Sequence, residues 1–348
     1  MLQSVLETYG FDNTATVSIF GSGLINNTWK VSTADDEYIL QRVNDSVFKT
    51  PEDIATNIEL IGDYLSQFYP AYKFVTPLKS LAGEEMIHLE EQGYFRMFPF
   101  VKGSHTIDVV ETPEQAYEAA AQFGKFTNRL KDFDISKLKM TIPGFHDLAD
   151  RYKEFLLAVE NGNEQRIAES KEMINILISY KDIVTVYEQI KTSSTFKLRV
   201  VHHDTKISNV LFDSNNKGIC VIDLDTVMPG YFISDVGDMM RTYLSPVSEE
   251  EKDFDKIEIR EEFYKAIVQG YYLVMKDELT KTETDYFFYA GEFMIYMQAI
   301  RFLTDHLNDD IYYGAKYTGH NFIRAANQLT LLKRLKEKKN LLLAIQFF

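Results

Sequence analysis

Apolar and polar positions alternate with period two in three early segments. "TVSIFGSG" (16–23) breaks at glycine, "NTWKVST" (27–33) resumes the alternation, and "EYILQRV" (37–43) follows the polar turn "ADDE". That pattern predicts half-buried strands of a small antiparallel sheet. Pro51 then opens a helical stretch with Ile54, Ile58, Ile61 and Leu65 at helical spacing. "EMIHLEEQGYFRMFPFV" (85–101) reads as a further hairpin through Gln92-Gly93. From Thr112 to about Lys191 the period becomes helical. Short β patches return at Leu198–Asp204 and Val210–Leu224, the second a hairpin, and the chain past Ser234 is expected to be helical to its end.

The expected layout is therefore a β-rich lobe over residues 1–102 with one helix, a connector at "FPFVKG", and a mainly helical lobe over 103–348. This is an α+β arrangement, not a doubly wound sheet, in which strands and helices would alternate throughout. No internal repeat or low-complexity tract is visible. The 348 residues suffice for two modest domains or one bilobed one, and 45% hydrophobic with 26% charged residues is an ordinary globular mix. Cys220 is the single cysteine, which excludes a disulfide framework and fits a reducing, cytoplasmic setting. The N-terminal residues lack the pattern of a signal peptide, and no apolar run reaches the roughly 20 residues that span a bilayer. A net charge of −15 disfavours nucleic acid as a partner but leaves room for a nucleotide whose charge a metal offsets.

Candidate chemistry gathers in "LRVVHHDTKISNVLFDSNNKGICVIDLDTVMPG" (198–230). Asp204 follows a strand and opens a polar loop; Asn209 lies five positions on, with Lys206 between them. The strand Ile219–Ile222 then ends on Asp223 and Asp225, which period-two geometry sends to one face of the sheet edge. Phosphoryl transfer from ATP needs a carboxylate to orient and deprotonate the acceptor hydroxyl, oxygen ligands for Mg²⁺, and positive charge on the γ-phosphate. Asp204 can be the base, Asn209 and Asp223 the metal ligands, and Lys206 the charge. Each also has a bland reading: an Asp or Asn after a strand is usually a turn residue bonded to its own backbone. Asp225 is a metal co-ligand or an acceptor that braces the loop. The doublet His202-His203 invites zinc, but adjacent strand residues face opposite ways and no Cys or His partner stands at ligand spacing. His202 is better read as packing and hydrogen bonding beneath the loop. Gly21 and Gly23, between two predicted strands, would let backbone N–H groups approach phosphates, although most such turns bind nothing.

These residues resemble the aminoglycoside phosphotransferase and choline kinase-like superfamily, which has a protein-kinase-like fold, and within it the N-acetylhexosamine 1-kinases. "GSGLINNTWKV", "EYILQRVN", "NIELI", "HHDTKISNVLF", "VIDLDTVMPG", "SDVGDMMR" and "RFLTDHLNDDIYY" carry the resemblance, which covers nearly the whole chain. It implies an ATP- and Mg²⁺-dependent kinase of the anomeric hydroxyl of N-acetylglucosamine or N-acetylgalactosamine. Asp204 would be the base, and Asn209 and Asp223 the magnesium ligands. Gly21 and Gly23 would lie in the phosphate-covering loop, Glu59 would be the acid of the first lobe's helix, and Phe100 and Val101 would lie in the hinge that receives adenine. Asp235, Asp238 and Arg241 would brace the catalytic loop. Gln41 departs from broader kinase practice, where the third strand presents Lys or Arg to the phosphates; a neutral amide cannot make that charge contact. Arg301 and Asp305, one helical turn apart, form either an ordinary i,i+4 pair or, with Asp310 or Tyr312, the wall of a hexose pocket.

Three rivals stand beside this reading. A D-x-D-type phosphatase would use Asp223 as nucleophile, but needs the motif on the first strand of a doubly wound domain. A kinase fold without activity would serve as a binding module; Gln41 favours it and the intact Asp204, Asn209 and Asp223 oppose it. A kinase of another small alcohol, such as choline, homoserine or an aminoglycoside, would suit the acidic net charge.

Overall fold

The computed structural model describes residues 2–21 and 26–345. The chain is α+β, with a small antiparallel sheet and a mainly helical remainder, and it forms two compact units. The first comprises residues 1–105, 132–143 and 211–229, and the second 106–131, 144–210 and 230–348.

The first unit opens with helix α1 (Leu2–Thr8), then β1 (Thr16–Ile19), β2 (Asn27–Ser32) and β3 (Glu37–Val43). Helix α2 (Pro51–Phe68), β4 (Ile87–Leu89) and β5 (Gly93–Pro99) follow. The sheet is antiparallel in the order β1-β2-β3-β5-β4. The alternation in the sequence produces its two faces: Val31, Leu40, Phe95 and Met97 point to one side and are buried with Ile87 and with Val5 and Leu6 of α1. Helix α1 is a second helix in a lobe expected to hold one; Leu2, Val5, Leu6 and Tyr9 repeat at helical spacing and roof the sheet. Pro51 starts α2 at a position where its missing N–H has no helical partner, and Glu52 and Asp53 sit in the first turn. The β4–β5 connection runs over residues 90–92, with left-handed backbone at Glu91, so Gly93 is the first residue of β5 and not part of the turn.

The second unit contains α3 (Pro113–Arg129), α4 (Leu148–Asn161), α5 (Glu164–Glu169), α6 (Lys171–Ser179), α7 (Lys181–Thr192) and the strand β6 (Arg199–Val201). Segment 211–229, between β6 and the helices that complete this unit, belongs to the first unit: the paired strands β7 (Val210–Phe212) and β8 (Gly218–Val221) make the expected hairpin, followed by the short strand β9 (Met228–Gly230). Then come α8 (Phe232–Tyr243), α9 (Glu261–Met275), α10 (Lys281–Thr284), α11 (Phe287–Leu307), α12 (His320–Glu337) and α13 (Lys339–Leu343). Thr112 and Gln115 close a capping box on α3. Helix α11 is buried almost all round and packs against α4, α8 and α12, as its lack of a polar stripe requires. Gly237 lets α8 approach it: a Cβ there would come within 2.3 Å of the Ala290 carbonyl oxygen. The C-terminal third is not continuously helical as expected, because residues 244–260 and 308–319 are irregular apart from one 3₁₀ turn. Among the described residues no helix is long and apolar enough to cross a membrane.

Candidate functional site

The catalytic-loop candidates are held by one helix. Asp235 and Asp238 lie on α8, three residues apart, and both are buried. Asp235 accepts hydrogen bonds from the backbone N–H groups of His202 (3.0 Å) and His203 (2.8 Å). Asp238 accepts from the Thr205 N–H at 2.8 Å and is paired with Arg241 at 2.9 Å. The Tyr243 hydroxyl donates to the Thr205 carbonyl. Three residues that flank Asp204 are thus pinned through their backbone: His202, the left-handed His203 (φ 66°) and Thr205. Burial pushes the Asp235 carboxyl up to about 7, against the opposing effect of its two backbone donors. Arg241 also bonds Glu249 at 2.6 Å, and Glu249 pairs with Arg324, so the brace extends to α12. His202 is fully buried with its ring edge-on to Phe123 of α3.

Asp204 itself keeps a partly open side chain, 22% exposed, with Oδ2 3.2 Å from Lys206 Nζ. Its backbone carbonyl accepts from Asn209 Nδ2 at 2.9 Å, at the end of a 3₁₀ turn. That bond spends the amide nitrogen of Asn209 and leaves its oxygen as the donor atom for a cation. The chemistry of the set, an amide oxygen and a carboxylate, matches a hard divalent ion. Among the described residues no three His, Cys, Asp or Glu side chains group to hold a metal.

The two acids after β8 do not share a face. The strand ends at Val221, Asp223 takes left-handed backbone (φ 60°, ψ 64°), and Leu224–Thr226 form a 3₁₀ turn. Period-two geometry stops there, so Asp223 is exposed and Asp225 is buried. Asp225 lies 2.5 Å from Arg96 Nη2 of β5, an ion pair, and accepts from Asn26 Nδ2 at 2.8 Å. Asn57, buried on α2, donates to the Val227 carbonyl at 3.1 Å and fixes the far end of the same turn.

Elsewhere in the first unit, Gly21 has φ +77°, a conformation that suits glycine, while Gly23 lies outside the described residues. Gln41 does not stand alone: Arg96 donates to its Oε1 from Nε (3.0 Å) and Nη2 (2.8 Å). Glu59 is not the acid of this cluster. It lies on the exposed face of α2 and pairs with Lys79 at 3.1 Å, because the helix turns Asn57 inward instead. The Phe100 N–H donates to the Glu37 carbonyl, and its ring lies against Phe20 and Lys30. The Val101 carbonyl accepts from the Ser104 N–H and hydroxyl, closing the turn after β5.

In the second unit the expected hexose-wall residues divide into two kinds. Asp305 accepts from the backbone N–H groups of Tyr312 (2.7 Å) and Tyr313 (2.9 Å) and from Asn321 Nδ2 (3.0 Å). Asp310 pairs with Arg166 (2.7 Å) and Asn321 (2.9 Å). Both carboxylates therefore fold the 308–319 loop inward, and the i,i+4 pairing of Arg301 with Asp305 gives way to these bonds. Arg301 instead bonds Gln298 (3.3 Å) and lies near the rings of Phe145, Tyr312 and Tyr313. Tyr312 is 63% exposed. Phe145 and the buried His146 were not singled out by the sequence; His146 packs against His203, and burial lowers its pKa. The dipeptide "FH" before the α4 cap gave no periodic signal, since only folding brings it beside the Asp204 loop.

Residues 16–277 match the APH phosphotransferase enzyme family, and the chain belongs to it. Solved structures of similar fold include an amicoumacin kinase in complex with AMP-PNP and Ca²⁺ (14% identity, TM-score 0.63, 99% of this chain and 95% of that one). A spectinomycin phosphotransferase has 13% identity and a TM-score of 0.61, covering 97% of each chain. A choline kinase from Cryptosporidium parvum Iowa II has 14% identity and a TM-score of 0.58, covering 99% of this chain and 97% of that one. At these identities the comparison speaks to fold, and that fold is consistent with the protein-kinase-like one. It excludes the doubly wound sheet on which the phosphatase reading depended.

Proposed function

We propose that this phosphotransferase moves the γ-phosphoryl group of ATP to the anomeric 1-hydroxyl of an N-acetylhexosamine, in the cytoplasm. Family membership supports the transfer, and kinases with bound nucleotides are among the proteins of similar fold. The observation that carries the reading is the Asp204 loop, clamped through the backbone by Asp235 and Asp238 while the Asp204 carboxylate stays partly open beside Lys206. A general base needs this combination of fixed position and access.

In the proposed reaction Asp204 accepts a hydrogen bond from the sugar hydroxyl and takes its proton as the oxygen bonds to the γ-phosphorus. The bond to the β-γ bridging oxygen breaks and ADP leaves with the electron pair. Because the transition state is loose, alignment and charge supply most of the rate, with Lys206 contributing positive charge. Asn209 and Asp223 would hold Mg²⁺, which when bound neutralises phosphate charge. Gly21 and Gly23 would cover the phosphates, and the backbone at Phe100 and Val101 would receive adenine. Arg301 and Tyr312 are the proposed sugar contacts: a cation and aromatic rings offer hydrogen bonds to hydroxyls and a flat surface to the C–H face of a pyranose. Asp305 and Asp310 would support the loop that carries Tyr312.

The acceptor rests on the resemblance of "RFLTDHLNDDIYY" and its companion segments to N-acetylhexosamine 1-kinases. The test is incubation with MgATP and a panel of free hexosamines, hexoses and amino alcohols, reading ADP release and ³¹P spectra. A sugar 1-phosphate formed from N-acetylglucosamine or N-acetylgalactosamine is expected. Turnover of choline or another amino alcohol in their place would reassign the acceptor, and no ADP from any alcohol would overturn the kinase reading.

A further inference from the structure

A chain proposed to bind ATP carries a neutral glutamine at the third-strand position where a cation would meet the phosphates. The first unit resolves this on the neighbouring strand. Gln41 and Arg96 are directly opposed in the β3–β5 register, and both point away from the face on which Leu40, Phe95 and Met97 are packed. Arg96 is 1% exposed, a guanidinium removed from water inside the unit. Gln41 Oε1 takes two of its donors, and Asp225 takes a third contact from Nη2. A lysine or arginine at position 41 would set a second cation within about 3–4 Å of this one, a repulsion that the neutral amide avoids. Position 41 is neutral because the charge is on residue 96.

The network is incomplete: Asp225 Oδ1 meets Arg96 Nη2 only as an ion pair, and Arg96 Nη1 is buried and has no hydrogen-bond partner. A guanidinium has five donors in a fixed fork, and leaving one unpaired away from water is unfavourable unless a ligand supplies an acceptor. The other end of the network points to that ligand's place. Asn26 bonds Asp225 through Nδ2 and accepts from the Asn44 N–H at 3.0 Å, and in the sequence it follows the segment that contains Gly21 and Gly23. Asp225 in turn belongs to the 3₁₀ turn that follows Asp223.

We propose that Arg96 is the phosphate-binding cation of the nucleotide site, its free Nη1 donating to a polyphosphate oxygen while Gln41 and Asp225 hold the rest of the guanidinium. The assignment rests on the kinase reading above. It makes Gln41 a holder of the cation and not a degenerate lysine, and Asp225 a holder and not a metal ligand.

The experiment compares MgATP with adenosine as ligands of the wild-type protein, Arg96→Met and Gln41→Lys/Arg96→Met, by calorimetric titration. Methionine fills the space of the arginine stem without charge. In Arg96→Met, MgATP binding should weaken at least roughly tenfold while adenosine binding is kept; the double variant should recover part of the loss by returning the cation to the third strand. If Arg96→Met does not fold, the guanidinium ¹⁵N resonances of Arg96 in wild-type protein serve instead, and should shift with MgATP and not with adenosine. An undiminished preference of Arg96→Met for MgATP over adenosine, or resonances indifferent to ATP, would overturn the inference alone. Wild-type protein that bound neither ligand would remove the kinase reading and this inference with it.

Discussion

Lys206 Nζ stands 3.2 Å from Asp204 Oδ2, on a loop whose backbone is pinned at both flanks by carboxylates of α8. The pair is part exposed, so it contributes little to stability, and the role proposed for it is catalytic. Asp204→Asn should lower kcat by roughly 10²- to 10⁴-fold, the usual worth of a general base. ATP affinity and thermal stability should hardly change. Lys206→Met should give a smaller loss of kcat. Steady-state kinetics with a parallel ATP titration checks both, and full turnover by Asp204→Asn would remove Asp204 from the mechanism.

Arg301 and Asp305 should separate by phenotype although they are one helical turn apart. Arg301 is partly open and lies among rings, so Arg301→Ala should raise the sugar KM with little effect on Tm. Asp305 is 4% exposed and accepts two backbone N–H groups and an amide. Asp305→Ala strands those donors and should cost about 2–5 kcal/mol of stability. Thermal melts beside sugar-dependence curves distinguish the two; an unchanged sugar KM in Arg301→Ala would exclude it from the sugar site.

Asp235 should make stability fall with rising pH. Burial raises its carboxyl from 3.8 to about 7, so between these values the folded chain holds a proton that the unfolded chain has lost. Its stabilising term is complete below about pH 4 and is lost as pH rises through about 7, with a slope approaching ~1.4 kcal/mol per pH unit. Asp235→Asn lacks this titration. Melting curves from pH 5 to 8 should show a wild-type-minus-variant difference that declines with pH; parallel curves would contradict the assignment.

Arg199 and Glu283 form a buried bidentate pair at 2.7 and 2.9 Å, and Glu283 also accepts the N–H groups of Lys197 and Thr280. Removing one partner leaves an uncompensated buried charge. Glu283→Ala or Arg199→Met should each cost about 3–5 kcal/mol, and the double variant less than their sum. Denaturant unfolding of the three variants measures the coupling, and additive losses would show that the pair is not a unit.

The loop that carries the candidate residues was legible because its pattern is local in sequence. The spacing of Asp204, Lys206 and Asn209 is written along one loop, and a loop followed by a hairpin forms from its own residues. Strands β2 and β3, the Pro51 helix and the "IRFLTDHL" end of α11 were legible for the same reason: each shows its period over consecutive positions. Helix α1 showed its period too, in Leu2, Val5, Leu6 and Tyr9, but over barely two turns.

What only the tertiary structure decided are pairings between residues far apart in the chain. Segments 132–143 and 211–229 fold with the N-terminal hundred residues, which chain order does not announce. The left-handed turn at Asp223 separates two acids that strand geometry would have aligned, exposing one and burying the other. Gln41 reads as a missing charge along its strand and becomes an acceptor only when Arg96, 55 residues away, is paired opposite it. Periodicity reports which face a residue takes within its own element. The partner that satisfies a buried charge or donor is chosen by the fold, because only the folded chain removes the water that would otherwise serve every group equally.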